Sequence, residues 1–282
     1  HVCSTGSRLV CVVGLNPPPN VANPVYPPGG FYTNGRRIDW MRPDGTSRQI
    51  LYNVDTSTIP DKPIQGWAHW SPDILPRTTI LFGLGPWGDD PLTPNVTNDG
   101  HSYIYVMGYT GVNPRVIIGP PRPGLDPPYF LAFPDFVNPE RVVFTKWRSW
   151  DGIDAQLYTT VLQAGVQVNP TTSGAANEND FTQEPAISKD GLQIAFYRGG
   201  HIYKAGITPQ GQLSGSMVRL TPDTEGAANG VYNSHPSWSL DNKRITYAKY
   251  RSGIWVMDAD GKNNHCILAS GVAFHPFWAR PW

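Results

Sequence analysis

An all-β fold, built from like four-stranded units set in a closed ring, is what the sequence predicts, and three observations lead there. The first is composition. Gly and Pro reach 29 each in 282 residues while charged residues are held to 16%, a mixture that suits many short strands joined by turns better than long helices. Aromatic residues at 12% argue against disorder. The second observation is self-similarity between EPAISKDGLQIAFYRGGHIYKAGI (184–207) and HPSWSLDNKRITYAKYRSGIWVMDADGK (235–262). Each copy opens on a Pro-x-(Trp/Ile)-Ser segment and passes a tight turn, an apolar strand and a second loop before a strand reading Ile-Tyr-Lys or Ile-Trp-Val. The third is the tail AFHPFWAR (273–280), which repeats the His-Pro-x-Trp opening and then stops.

Taken along the chain, residues 4–15 and 37–52 supply every strand of a first unit except its opening one. Residues 66–74, 79–84 and 102–112 form a second unit with a long insertion before its third strand, and residues 132–148 with 155–166 form a third. The two quoted copies are the fourth and fifth. The tail then reads as the missing inner strand of the first unit, carried by Phe274, His275, Phe277 and Trp278. Self-similarity at about 40–50 residues, with four short strands per unit, is the signature of a β-propeller. Taking Ile38, Ile104, Leu157, Ile202 and Ile254 as equivalent third-strand positions gives five four-stranded antiparallel blades in one domain, residues 1–282. A six-bladed ring with one degenerate blade is the alternative.

The turn and hairpin motifs carry a family resemblance. Trp70-Ser-Pro-Asp73, Ser188-Lys-Asp-Gly191, Ser239-Leu-Asp-Asn242 and Ile254-Trp-Val-Met-Asp-Ala-Asp-Gly261 resemble the repeats of TolB-like propellers, whose units carry a Trp-Ser-Pro-Asp-Gly turn and an Ile-Tyr-x-Met-x-x-Asp-Gly hairpin. The similarity is sharp in units two, four and five. TolB itself also carries an amino-terminal α/β domain that no segment here supplies, so the resemblance implies a fold and a habit of binding, not TolB's envelope role.

Asp258-Ala-Asp260-Gly261 has the look of a calcium loop, yet it occupies the place of Arg42-Pro-Asp-Gly45, Gly108-Tyr-Thr-Gly111 and Thr208-Pro-Gln-Gly211. The Gly persists while the acidic residues do not. A hairpin turn needs a residue tolerant of positive φ, whereas calcium needs a further carboxylate several residues on. The following Lys262-Asn-Asn-His-Cys-Ile offers none, so a turn is expected, and no metal or other cofactor.

Strand order assigns every loop to one of two ends. Turns from first to second strand and from third to fourth form a first face, short and repetitive; second-to-third loops and the links between units form a second face. The second face holds the long, individual segments 15–31, 84–102, 119–129, 146–155 and 169–181. Function sits on variable loops over a rigid scaffold, so that face is the expected working surface. Its candidates are Trp87, Asp89 and Asp90 in the second unit and Trp147, Trp150 and Asp151 in the third, at equivalent loop positions. Flat aromatics beside carboxylates suit sugar rings and protein hot spots alike. Packing of the loops by these Trp residues is the bland alternative.

Enzyme chemistry finds less support. Glu184-Pro resembles the acid-bearing segment of five-bladed glycoside hydrolases, but His235-Pro and His275-Pro stand in the same place, and Asp135, Glu184 and Asp154 give no convincing pair at the separation such hydrolysis needs. His1 as a copper ligand belongs to a β-sandwich, which the repeat opposes. His69, His235 and His275 are expected to share one inner-strand position, hydrogen-bonded within the unit. No Gly-x-Ser-x-Gly elbow, phosphate loop or Cys-x-x-Cys is present.

The 22 basic and 22 acidic residues leave no net field for nucleic acid, and no apolar run of about 18 residues spans a bilayer. A chain starting at His1 without a leader reads as a processed form, secreted, periplasmic or at the cell surface. Cys3 and Cys11 flank a turn and are candidates for a disulfide with Cys266 left over, and Asn95-Val-Thr97 is a glycosylation sequence. The expectation is a non-enzymatic module for a protein or glycan partner. Donation of the tail to a neighbour's first unit would instead give a homo-oligomer or polymer.

Overall fold

The computed structural model describes residues 9–14, 35–41, 49–53, 64–70, 79–84, 103–108, 112–119, 130–147, 155–162, 167–168, 182–270 and 276. Its strands fall into five consecutive antiparallel groups. The first holds β1 (Leu9–Gly14), β2 (Gly35–Met41) and β3 (Gln49–Asn53), with β2 between the other two. The second runs β4 (Ile64–Trp70), β5 (Thr79–Leu84), β6 (Tyr103–Gly108), β7 (Arg115–Ile118). Gly35, at the start of the central strand β2, pairs with Ile64 of β4, so these two groups are continuous in one seven-stranded sheet. The third is β8 (Phe130–Asn138), β9 (Arg141–Trp147), β10 (Gln156–Val161) and β11 (Gln167–Val168). The fourth comprises β12 (Thr182–Ile187), β13 (Gln193–Arg198), β14 (His201–Ile207) and β15 (Leu213–Arg219), and the fifth β16 (Asn233–Trp238), β17 (Arg244–Lys249), β18 (Gly253–Asp258) and β19 (His265–Ala269). Ile104, Leu157, Ile202 and Ile254 lie on the third strands of their groups and Ile38 on the central strand of the first, as the repeat requires. Of the tail that would complete the first group only Pro276 is described, so Phe274, His275, Phe277 and Trp278 lie outside the described residues.

Burial follows strand position. β9, β13 and β17 each bury four successive residues, whereas β15 is mostly exposed and β19 wholly so. Sheets stacked face to face cover both sides of their inner strands, which therefore read as continuous apolar runs instead of alternating ones. Among the described residues, three cores fill gaps between successive sheets from the second group to the fifth. Leu81 and Ile104 meet Phe136 and Phe144; Val143 and Leu157 meet Ile194 and Phe196; Ala195 and Ile202 meet Trp238 and Tyr247. Each such fully buried large side chain stabilises the stack by roughly 1.5–3 kcal/mol. Polar ties cross the same gaps: Trp238 Nε1 donates to the Ala186 carbonyl at 3.0 Å, and Lys204 Nζ to the Ala259 carbonyl at 2.6 Å. No helix among the described residues is long and apolar enough to cross a membrane.

The register corrects one expectation. Trp70 pairs with Ile80 as Trp238 pairs with Ile245 and Ile187 with Ile194. Three residues before Trp238 stands His235, but three before Trp70 stands Trp67. His69 instead pairs with Leu81 inside the ladder, level with Ser237 opposite Thr246. The Trp-Ser step anchors the unit, and His69 lies one residue from that anchor, not three.

Candidate functional site

Proline shapes the inner strands. Pro134, Pro185 and Pro236 lack an N–H for the ladder, and the residue before each, Phe133, Glu184 and His235, takes positive φ of 51°, 57° and 53°. Pairing skips there, between Ala132 and Asp135, Gln183 and Ala186, Ser234 and Ser237. These are bulges, which bend a strand and re-aim its side chains. The N–H groups released from the ladder turn to the preceding sheet: Glu184 N donates to Thr145 Oγ1 at 3.1 Å, and His235 N to Glu184 Oε2 at 2.6 Å. The Phe133 and His235 rings, from sheets three and five, meet edge to face with centroids 5.9 Å apart. The bulges of three sheets therefore converge on one cluster.

Glu184 is the chemically unusual member. It is 7% exposed, and desolvation pushes its carboxyl up to about 8 against the opposing pull of the His235 N–H. At neutral pH it holds a proton. His235 Nε2 lies 3.5 Å from Glu184 Oε1, and its Nδ1 lies 3.0 Å from Ser234 Oγ, so this histidine is tied both within its own sheet and to its neighbour. Tyr197 beside them has its phenol pushed up, chiefly by burial and further by Glu184 and Tyr232. Asp135 plays another part: its Oδ1 accepts from Phe136 N and its Oδ2 from Ile187 N, both at 2.8 Å, fastening sheet three to sheet four.

The first face is closed by repeated turns. Gly191, Asn242 and Gly261 each donate N–H to the carbonyl three residues back, at 2.8–3.0 Å, with φ of 73°, 58° and 86°. In 258–261 the acidic groups serve the turn itself: Asp260 Oδ1 accepts from Lys262 N at 3.0 Å and Asp258 Oδ2 from Asn263 Nδ2 at 2.5 Å. This segment is a hairpin turn, as the repeat implies.

The second face is described best over sheets four and five. Lys249 Nζ pairs with Glu225 Oε1 and sits 4.3 Å above the centre of the Trp255 ring. Beside it Tyr232 and Tyr250 stand perpendicular with centroids 6.1 Å apart, and the Arg251 guanidinium lies 5.0 Å from the Tyr250 ring centre. Of the six residues expected to bind, Trp147 ends β9, half-buried and paired with Phe130; Trp87, Asp89, Asp90, Trp150 and Asp151 lie outside the described residues, as do Asn95, Asp154 and Cys3. Cys11 sits in β1 opposite Asp39, and Cys266 is an exposed free thiol. Sequence reasoning set Glu184 and His235 at equivalent positions of successive units and missed their contact. It also missed Tyr232, Tyr250 and Arg251, whose signal was an Arg where the matching hairpin of sheet four has Gly199-Gly200.

Bulged inner strands meeting across stacked sheets are the geometry on which comparison with solved structures bears. The structure of TolB from Acinetobacter baumannii matches 95% of this chain at a TM-score of 0.59 and 16% identity. The fold is a TolB-like β-propeller. That match takes in 54% of the A. baumannii protein, so this propeller spans about half its length. A TolB structure from Agrobacterium tumefaciens matches 87% of this chain and 83% of its own at a TM-score of 0.54, again with 16% identity. An oligogalacturonate lyase in complex with manganese matches 84% of this propeller and 61% of its own chain at 0.57 and 12% identity. At these identities the likeness is one of fold. No family model and no curated protein sequence matches.

Proposed function

We propose that residues 1–282 form one five-bladed propeller, its first blade completed by the tail strand, acting as a non-enzymatic recognition module that is secreted, periplasmic or cell-surface. Its second face recognises a protein or glycan partner. The observation that supports this most directly is the contrast between the faces of sheets four and five. The first face spends its polar groups closing turns, while the second exposes Arg251 on a braced hairpin and Tyr232 on the adjoining link before β16. Trp87, Asp89, Asp90, Trp147, Trp150 and Asp151 extend the same surface across blades two and three. A glycan array and a pull-down read beside size-exclusion chromatography test the proposal. Ligand capture that survives first-face substitutions and fails on second-face ones is expected; the reverse pattern, or none, overturns it. Polymers that vanish on deletion of 272–282 would assign the tail to a neighbouring copy.

The raised carboxyl of Glu184 favours one second reading, a glycoside hydrolase with Glu184 as acid. Asp135 does not suit the partner role, since both its oxygens already accept backbone N–H groups. Cleavage of arabinan or xylan that is lost in Glu184→Gln would establish this reading, and its absence in the intact protein would remove it.

A further inference from the structure

The Tyr232–Tyr250–Arg251 cluster has the properties of a built binding site. Its hairpin is braced from below at four points: Tyr250 N to the Tyr232 carbonyl at 2.9 Å, Ser252 N to the Lys249 carbonyl at 2.9 Å, Trp255 Nε1 to Ser252 Oγ at 3.0 Å, and Ser270 N to the Ser252 carbonyl at 3.4 Å. Arg251 holds φ at 58°, a left-handed conformation that a bulky side chain enters only when its surroundings enforce it. In the matching hairpin of sheet four that strain is avoided with Gly199-Gly200. At this end of sheets four and five the other described Lys and Arg side chains are engaged: Lys249 with Glu225, Arg219 with Asp223, Arg198 with Met217 Sδ and the Tyr203 ring. Arg251 is exposed and forms no ion pair among the described residues. Its guanidinium is oriented by the Tyr250 ring, and beside that ring Tyr232 is 40% exposed.

A guanidinium over one half-buried phenol ring and next to a second, exposed one takes a ligand that is planar-faced on one side and anionic on the other. We infer that these three residues form a site for a carboxylate-bearing sugar, the acid group on Arg251 and the pyranose face on Tyr232. This rests on the second face being the working surface and names its ligand class. A polypeptide fits less well. Stable protein interfaces need about 800 Å² per partner around an apolar centre, and none of the other exposed large apolar side chains among the described residues lies in this hairpin or in the link 220–232.

Calorimetric titration of the intact protein with a mannuronate tetrasaccharide, with mannotetraose and with polyglutamate tests the inference. The acidic sugar is expected to bind at least tenfold more tightly than mannotetraose. Arg251→Gln should erase that preference, and Tyr232→Ala should weaken both sugars, with unchanged circular dichroism in each variant. Equal affinity for the two sugars, a preference that persists in Arg251→Gln, or polyglutamate binding in place of the sugars overturns the site. Should neither sugar bind while the array or pull-down still returns a second-face ligand, the uronate site is refuted and the wider reading stands. If those are blank too, both fall.

Discussion

The two ends of sheets four and five close their hairpins in different ways. At the first face Ser188 and Ser239 each donate Oγ–H to the aspartate two residues on at 2.6 Å, and each Oγ accepts an N–H from five residues on at 2.9 Å. The same atoms make the same bonds in both sheets. At the second face one hairpin turns through two glycines and the other through Tyr250, Arg251 and Ser252. Repetition marks an end whose chemistry is consumed in closing the turn. Divergence marks an end where the scaffold closes by backbone bonds and leaves side chains for other tasks.

The contrast breaks most visibly at Gly253. Its φ of 116° suits glycine, and a Cβ there would collide with the Leu268 carbonyl and Ser270 N. Gly253→Ala should cost about 3 kcal/mol or more, read as a fall in the urea midpoint. An unchanged midpoint would mean the second-face hairpin is not held as described.

Glu184 gives the next largest effect. Its carboxyl is raised to about 8 in the fold against about 4.3 in an unfolded chain. Between those values the native state therefore binds more protons, and stability falls as pH rises through this window, by at most about 1.4 kcal/mol per pH unit. Glu184→Gln should remove that slope, so that the variant gains on the parent from pH 5 to 8. Parallel pH profiles of melting temperature would sink the assignment.

Smaller changes sharpen the comparison. Ser239→Ala should lose about 1 kcal/mol with ligand capture intact, checked by chemical denaturation beside the pull-down. Arg251→Gly should do the opposite. Relief of the left-handed strain, offset by the entropy of glycine, should raise stability by about 0.5 kcal/mol while capture of the acidic sugar is lost. Loss of capture in Ser239→Ala, or its retention in Arg251→Gly, would erase the distinction between the ends.

Much of the fold was legible because turn chemistry is local. Ser-x-Asp-Gly and Asp-Ala-Asp-Gly need only their own neighbours to form, so their spacing marks the strand ends and the repeat. The position of His69 was not legible, because a bulge inserts residues without altering the surrounding letters, and only pairing of Trp70 with Ile80 reveals the offset. For the site, the second face was identifiable as the variable end, and the expected Trp and Asp residues lie outside the described residues except for Trp147. The Glu184–His235 contact joins residues 51 positions apart, and no local pattern encodes such a distance.

The amino-acid order by itself determined the unit: where strands begin, where they turn, and that the unit recurs along the chain. Tertiary structure alone decided which side chains face one another across the stack, and therefore that one glutamate is dry and protonated while Asp135 is tied to backbone N–H groups. The physical reason is that turn preference acts over a few bonds, whereas desolvation and inter-sheet hydrogen bonding depend on which surfaces are pressed together.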